Sequence, residues 1–285
     1  MRIGCFVETY NLTQKPEVQA LQIFAEKARN LGCDFVLLGR EIMEKMALFD
    51  SVFIRATTDP LFTAYTVSRL AEEMGKKVID DSESIRICSN KVALYYRLKK
   101  HGIPMPETRI VYSVEEAKYC AEELGYPVVV KSPNSRFSLF VEKANNLEEL
   151  SMITKRFMRR SKAVVLQQFI PTTFDWRIGV LNNKAIYACK YLIPKGGWRV
   201  RDCIGNKKIW GDVVAVKVEN LPKKLRRIAI DAGKSIGNGL YGIDIKEVNG
   251  LYYVIEVNDN PTIMHGYEDA KNPEIYEEII KALLN

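Results

Sequence analysis

The residues best placed to do chemistry lie near the C-terminal end. Asp244 is on one predicted strand, and Glu256 and Asn258 are on the next, two positions apart and so on one face. Between the strands stands Asn249-Gly250, the strongest short hairpin signal, which folds Asp244 back toward Glu256. Oxygen ligands converging from adjacent strands suit a hard cation that keeps some waters and meets phosphates. The same alternation, with Ile243, Ile245, Ile255 and Val257 on the opposite face, also fits a hairpin with ordinary surface acids, and geometry alone favours neither reading.

Two lysines bear on that choice. Lys131 ends the apolar run Val128-Val129-Val130, where a lone ammonium is desolvated unless it meets an anion. Lys91 opens a helix, against the preference of that end for negative charge. A nucleotide phosphate satisfies both, although either lysine alone could extend to solvent. There is no Gly-x-Gly-x-x-Gly loop. Gly233-Lys234-Ser235 resembles the end of a Walker A loop but reads as helix interior, with Ile228 where the first glycine belongs.

The elements that must position these residues fall into three stretches. Over 1–86, short apolar strands (Arg2 to Val7, Asp34 to Leu38, Asp50 to Arg55, Lys77 to Asp80) alternate with helices (Pro16 to Leu31, Pro60 to Met74), which predicts a parallel α/β domain. Over 87–163, helix Asn90 to Lys100 is broken at His101-Gly102-Ile103-Pro104. A small α+β lobe follows, with Ser113 and Glu116 as a capping box. Over 164–285, strands dominate. Strand Val164 to Ile170 comes first, and hairpins turn at Asn182-Asn183 and Asn249-Gly250.

Composition narrows the class. The chain has 285 residues with 47% hydrophobic and 27% charged, ordinary for a globular protein, and charges interrupt every apolar run before it could span a membrane. Six scattered cysteines without a Cys-x-x-Cys pair and the lack of a signal sequence point to reduced thiols and a cytoplasmic location. Two histidines are too few for a His-rich zinc site. The net charge of +7 is read first as solubility, and no aromatic-interleaved basic motif argues for nucleic acid.

Several segments, in order, resemble the RimK-type ATP-grasp ligases, relatives of glutathione synthetase and D-alanine ligase. These are Ile79-Asp80-Asp81-Ser82-Glu83-Ser84-Ile85 with Asn90-Lys91, His101-Gly102-Ile103-Pro104, Phe174 to Leu181, Gly239 to Asp244, and Ile255-Glu256-Val257-Asn258-Asp259-Asn260-Pro261. The resemblance covers nearly the whole chain and implies an ATP-grasp fold, in which an N-terminal parallel α/β domain precedes two α+β lobes that clamp ATP. The implied activity is amide formation from a carboxylate and an amine through an acyl-phosphate, with ATP and Mg²⁺ (Mn²⁺ able to substitute). A product of this kind is an amino acid such as glutamate added to a peptide, protein or small metabolite. Such proteins often form homo-oligomers.

The resemblance also implies roles. Lys91 and Lys131 hold phosphates, Gln168, Phe169 and Ile170 read adenine, and Asp175 lies near the ribose. Arg177 stabilises the transferring phosphoryl group, with Lys190 assisting, and Asp244, Glu256 and Asn258 hold the metal. Arg55 faces the cleft as a candidate for the carboxylate, while Asn260 and His265 border the acceptor. Arg199, in the segment Lys195 to Arg201, hints at an acidic peptide or amino acid. One departure stands out. The phosphate loop, Ser132 to Ser138, has no glycine, leaving Ser135, Ser138 and Arg136 to replace backbone contacts. That loop is the feature supporting the alternative of a catalytically weak or inactive ATP-binding module.

Overall fold

The computed structural model describes residues 1–56, 62–134, 140–204 and 207–285. Strands β1 (Arg2–Phe6), β2 (Asp34–Leu38), β3 (Ser51–Ile54) and β4 (Lys77–Ile79) form a parallel sheet in the order β2-β1-β3-β4. Helices α1 (Lys15–Asn30), α2 (Ile42–Lys45) and α3 (Thr63–Glu73) connect them. Every residue of β3 is buried, as expected of a strand covered on both faces.

Two helices lead out of this sheet. Asp81 caps α4 (Ser82–Cys88) through the Ser84 amide, and Asn90 caps α5 (Lys91–Lys100) through the amides of Val92 and Ala93. A second sheet, antiparallel, has the order β5-β8-β6-β7, with β5 (Thr108–Val111), β6 (Val128–Lys131), β7 (Val141–Ala144) and β8 (Val164–Gln168). Helices α6 (Val114–Leu124) and α7 (Leu147–Met158) pack on it around Phe157 and Leu150. Ser113 caps α6, but Glu116 accepts from the Tyr112 amide rather than completing the expected box.

The third sheet has the order β13-β10-β9-β14-β15, formed by β9 (Phe174–Leu181), β10 (Lys184–Leu192), β13 (Val213–Val216), β14 (Leu240–Val248) and β15 (Leu251–Asp259). A ribbon of β11 (Arg201–Ile204) and β12 (Lys207–Trp210) precedes β13. Helix α8 (Lys223–Ile236) buries Leu225, Ala229 and Ala232 with Ile178, Ile243 and Ile245 on one face of this sheet. Gly233-Lys234-Ser235 lies inside α8, so it is no phosphate loop. Helix α9 (Ile275–Leu284) returns to the N-terminal sheet, where Tyr276 meets Phe24 edge-on.

Both hairpin turns form at the residues the sequence marks. Asn182 and Asn183 have φ of 47° and 63°, and Asn249 and Gly250 have 51° and 73°, the left-handed pair a two-residue turn needs. One boundary shifts. Strand β8 pairs with β5 and β6, so the stretch after 163 begins in the middle sheet and the third sheet starts only at Phe174. Apolar strands of similar composition carry no mark of their partner.

Candidate active site

The register puts one charged face on the third sheet. Asp244 stands opposite both Glu256 on β15 and Arg177 on β9, and Gly242 stands opposite Asn258. Side chains opposite one another share a face, so Asp244, Glu256, Asn258 and Arg177 gather on the side away from α8. Arg177 grips Asp244 in a two-pronged pair (Nε to Oδ1 2.5 Å, Nη2 to Oδ2 2.9 Å). Asn258 donates to Asp244 Oδ2 at 3.0 Å. Gly242 makes room here, since a Cβ on it would come within 2.8 Å of Pro261 and 3.1 Å of the Arg177 side chain.

The lysines reach the same face. Lys91 Nζ is 2.6 Å from Glu256 Oε1, and its side chain is 4% exposed against 28% for Glu256. Lys131 Nζ donates to Tyr95 and to Gln167 Oε1, each at 2.7 Å. Burial pushes the Lys131 ammonium down to about 7, with Lys91 and Lys246 adding to the effect and Glu256 opposing it. Burial works to raise the Glu256 carboxyl, but Lys91, Lys131 and Arg177 outweigh it and hold it below its ordinary value. Asp244 goes the other way, because desolvation exceeds the help from Arg177.

The donor set fits a divalent cation. Among the described residues no three His, Cys, Asp or Glu side chains converge. The set here is two carboxylates across one ladder plus the Asn258 amide, hard oxygens that leave room for water and phosphate. Their charge is balanced by Arg177 and Lys91, cations that an anionic ligand can attract away.

Other expected positions fall differently. Asp175 is on the charged face but paired with Lys246 at 2.6 Å and with the Thr172 hydroxyl. Gln168 is exposed at the end of β8, followed by half-buried Phe169 and Ile170, and the Phe169 ring meets Trp198 edge-on at 6.1 Å. Lys190 is opposite Trp176, so it lies on the reverse face, its ammonium 4.3 Å from the Phe174 ring and 4.8 Å from that of Trp176. The expectation that it assists Arg177 fails on strand parity. Tyr191, one residue on, has that place, with the Arg177 guanidinium 5.2 Å from its ring centre.

Arg55 does not open onto the cleft. Its side chain is 1% exposed, paired with Glu17 at 2.9 Å and donating to the Pro261 carbonyl at 2.7 Å. Asn260 likewise faces inward, where its Oδ1 accepts from the Asp80 amide (3.1 Å) while its own amide donates to Asp80 Oδ2 (2.8 Å). Asp80 also accepts from the Leu240 amide at 2.5 Å. Arg199 is engaged with Asp202 and with the Val141 carbonyl of β7. His265 stands at the rim, 45% exposed, with Nδ1 2.6 Å from Asp269. Ser135 and Ser138 lie outside the described residues.

Sequence reasoning missed Tyr95, Gln167, Tyr191 and Glu268. Gln167 and Tyr191 are each one position from a residue that was chosen, but counting from the Asn182-Asn183 turn puts Lys190 on the Arg177 face, and it is the bulge between Ala185 and Tyr187 that brings Tyr191 there instead. Glu268, which accepts from the Tyr191 hydroxyl and, at 2.7 Å, from the Met264 amide, carries no such signal.

Residues 88–283 match the model of the RimK-like ATP-grasp domain. The chain belongs to that family. Over its whole length it is 25% identical to the glutamate–LysW ligase ArgX of Sulfolobus acidocaldarius, of which it covers 99%. It is 30% identical to the α-aminoadipate–LysW ligase LysX of Saccharolobus solfataricus over 70% of this chain and 71% of that one. Among solved structures, a RimK domain ATP-grasp protein from Sphaerobacter thermophilus superposes with a TM-score of 0.75 at 18% identity, covering 100% of both chains. The D-alanine–D-alanine ligase of Bacillus anthracis complexed with ATP gives 0.73 at 17%, covering 99% of this chain and 95% of that one. The fold is the ATP-grasp fold, and this RimK-like protein is an ATP-grasp ligase, an enzyme class that works on ATP with a divalent metal.

Proposed function

We propose that this RimK-like ligase activates the carboxylate of a peptide, carrier protein or small metabolite as an acyl-phosphate and joins it to the amino group of an acidic amino acid such as glutamate. The observation that carries this is the single face on which Arg177, Lys91, Asp244, Glu256 and Asn258 converge. Relatives named as ligases of glutamate or α-aminoadipate support the substrate class.

In this reading Lys91 and Lys131 leave Glu256, Tyr95 and Gln167 for the ATP phosphates. Gln168, Phe169 and Ile170 meet adenine, and Asp175 the ribose. Asp244, Glu256 and Asn258 would hold Mg²⁺, which would supply positive charge to offset that of the phosphates. Arg177 steadies the charge on the phosphoryl group as the substrate carboxylate attacks it, mainly an electrostatic task. Closure of the middle lobe keeps water from the acyl-phosphate. The hinge for that motion lies after β8, with the middle lobe on one side and, on the other, the metal-bearing lobe together with the N-terminal unit (1–86) that is bonded to it through Asp80 and Asn260. A cytoplasmic, homo-oligomeric enzyme is the accompanying expectation. No helix among the described residues is long and apolar enough to cross a membrane.

The test is phosphate release from Mg·ATP across amino acids and acidic peptides. Release of ADP and phosphate that needs both a carboxylate and an amine, and is lost in Glu256→Gln, supports the ligase. Tight ATP binding without release in any mixture sinks it.

A further inference from the structure

We propose that His265 is the base that takes the proton from the incoming amine, and that Asp269 is its positioning residue. This rests on the ligase reading above. An amine attacking an acyl-phosphate must shed a proton as the C–N bond forms, and the Arg177 guanidinium beside the phosphoryl group cannot accept one.

The geometry places an acceptor at the right edge. Pro261 packs beside Arg177 at Gly242, which brings the loop after β15 against the phosphoryl side of the site. The same loop is tied to Arg177 a second time, because Tyr191 lies against the guanidinium and its hydroxyl bonds Glu268. Glu268 in turn accepts from the Met264 amide, and the next amide, that of His265, donates to the Pro16 carbonyl at 3.1 Å, just inside α1 of the N-terminal sheet. His265 therefore sits where the N-terminal sheet and the Arg177 face meet, with its side chain 45% exposed.

Its orientation is fixed from behind. Nδ1 faces Asp269 Oδ2 at 2.6 Å, and the same oxygen accepts from the Tyr276 hydroxyl at 2.9 Å. Asp269 Oδ1 accepts from the Gly266 amide at 2.7 Å, and the carboxylate side chain is 6% exposed. A carboxylate so held draws the proton to Nδ1 and leaves the lone pair on Nε2, pointing outward. This is the arrangement of a base with its orienter.

The step balances. The neutral amine nitrogen attacks the carbonyl carbon, the bond from that carbon to the phosphoryl oxygen breaks, and phosphate leaves with the electron pair. Nε2 takes the N–H proton and returns it to water.

The experiment separates the two halves of the reaction, with glutamate as amine and a short peptide ending in glutamate as carboxylate. Hydroxylamine is unprotonated at neutral pH, and its adduct is acidic enough to lose the extra proton to water, so it traps the acyl-phosphate without a base from the enzyme. In His265→Gln, amide formation is expected to fall about 100-fold or more while hydroxamate formation stays within about twofold of the parent. Added imidazole should restore amide formation in His265→Ala and leave the hydroxamate rate unchanged. The chain has only two histidines, so ¹⁵N spectra should resolve the Nδ1–H tautomer of His265 and show its loss in Asp269→Asn. Amide and hydroxamate falling together, amide formation untouched, or an Nε2–H tautomer in the parent each overturns the proposal. A parent that makes neither product counts against the ligase reading itself.

Discussion

Two arginine–carboxylate pairs in this molecule have similar chemistry and opposite uses. Arg55–Glu17 is sealed at the N-terminal junction, with side chains 1% and 5% exposed. Arg177–Asp244 is 14% and 20% exposed on the charged face. The first arginine is further committed to the Pro261 carbonyl, so releasing it would strand charge in the core. The second stands among Lys91, Glu256 and Asn258, where an incoming anion and cation can exchange partners with it. An ion pair is poised for function when solvent and alternative partners reach it, whatever the distance between its charges.

The largest separation should come from Glu256→Gln and Asp244→Asn, which should lower turnover about 1,000-fold or more while leaving the melting temperature near that of the parent. If either variant keeps parental turnover, the open pair is as structural as the closed one. Arg55→Ala and Glu17→Ala should do the reverse, costing about 3–5 kcal/mol of stability by leaving a buried charge unpaired. Urea unfolding checks this, with turnover per folded molecule largely kept.

Lys131 gives a smaller, pH-dependent effect. With its ammonium pushed down to about 7, the free site carries the charge below that pH and must take up a proton to bind phosphate above it. ATP affinity should therefore weaken by up to about tenfold per pH unit above 7. The sign for folding is opposite. Between about 7 and the free-lysine value of 10.5 the unfolded chain binds more protons, so stability gains with rising pH. Calorimetry in buffers of different ionisation enthalpy measures the proton uptake, and Lys131→Met should abolish it. The smallest effect belongs to Lys190→Met, on the reverse face, which should change turnover by less than about twofold, since it removes only an ammonium resting on aromatic rings. A loss as large as that of Arg177→Met would put Lys190 back in the site.

How far the sequence could be read follows from which signals are local. Asn249-Gly250 sets the turn, but its register alone would put Asp244 opposite Ile255; the bulge between Asp244 and Ile245 brings it opposite Glu256, so the hairpin was legible without coordinates and the exact pairing was not. Asn90 and Ser113 announce their helices by the same kind of short-range bonding. Lys190 failed because strand parity inverts with a step of one residue, and the choice between it and Tyr191 needs the register with β9. Arg55 and Asn260 failed for another reason. Both look like free polar groups in sequence, and their partners are far along the chain, Glu17 and Pro261 for one, Asp80 for the other. Such docking leaves no periodic trace. The partner of β8 was hidden likewise.

The reciprocal bonds between Asp80 and Asn260 have a consequence for how such enzymes can be recombined. Asn260 is two residues beyond Asn258, so the rim of the charged face is anchored to a loop that the N-terminal sheet supplies. Exchanging that sheet between relatives as an interchangeable part would set an unfamiliar partner beneath the rim. A working hybrid must import positions 80 and 260 as a matched pair, or the graft will fold with its cleft out of true.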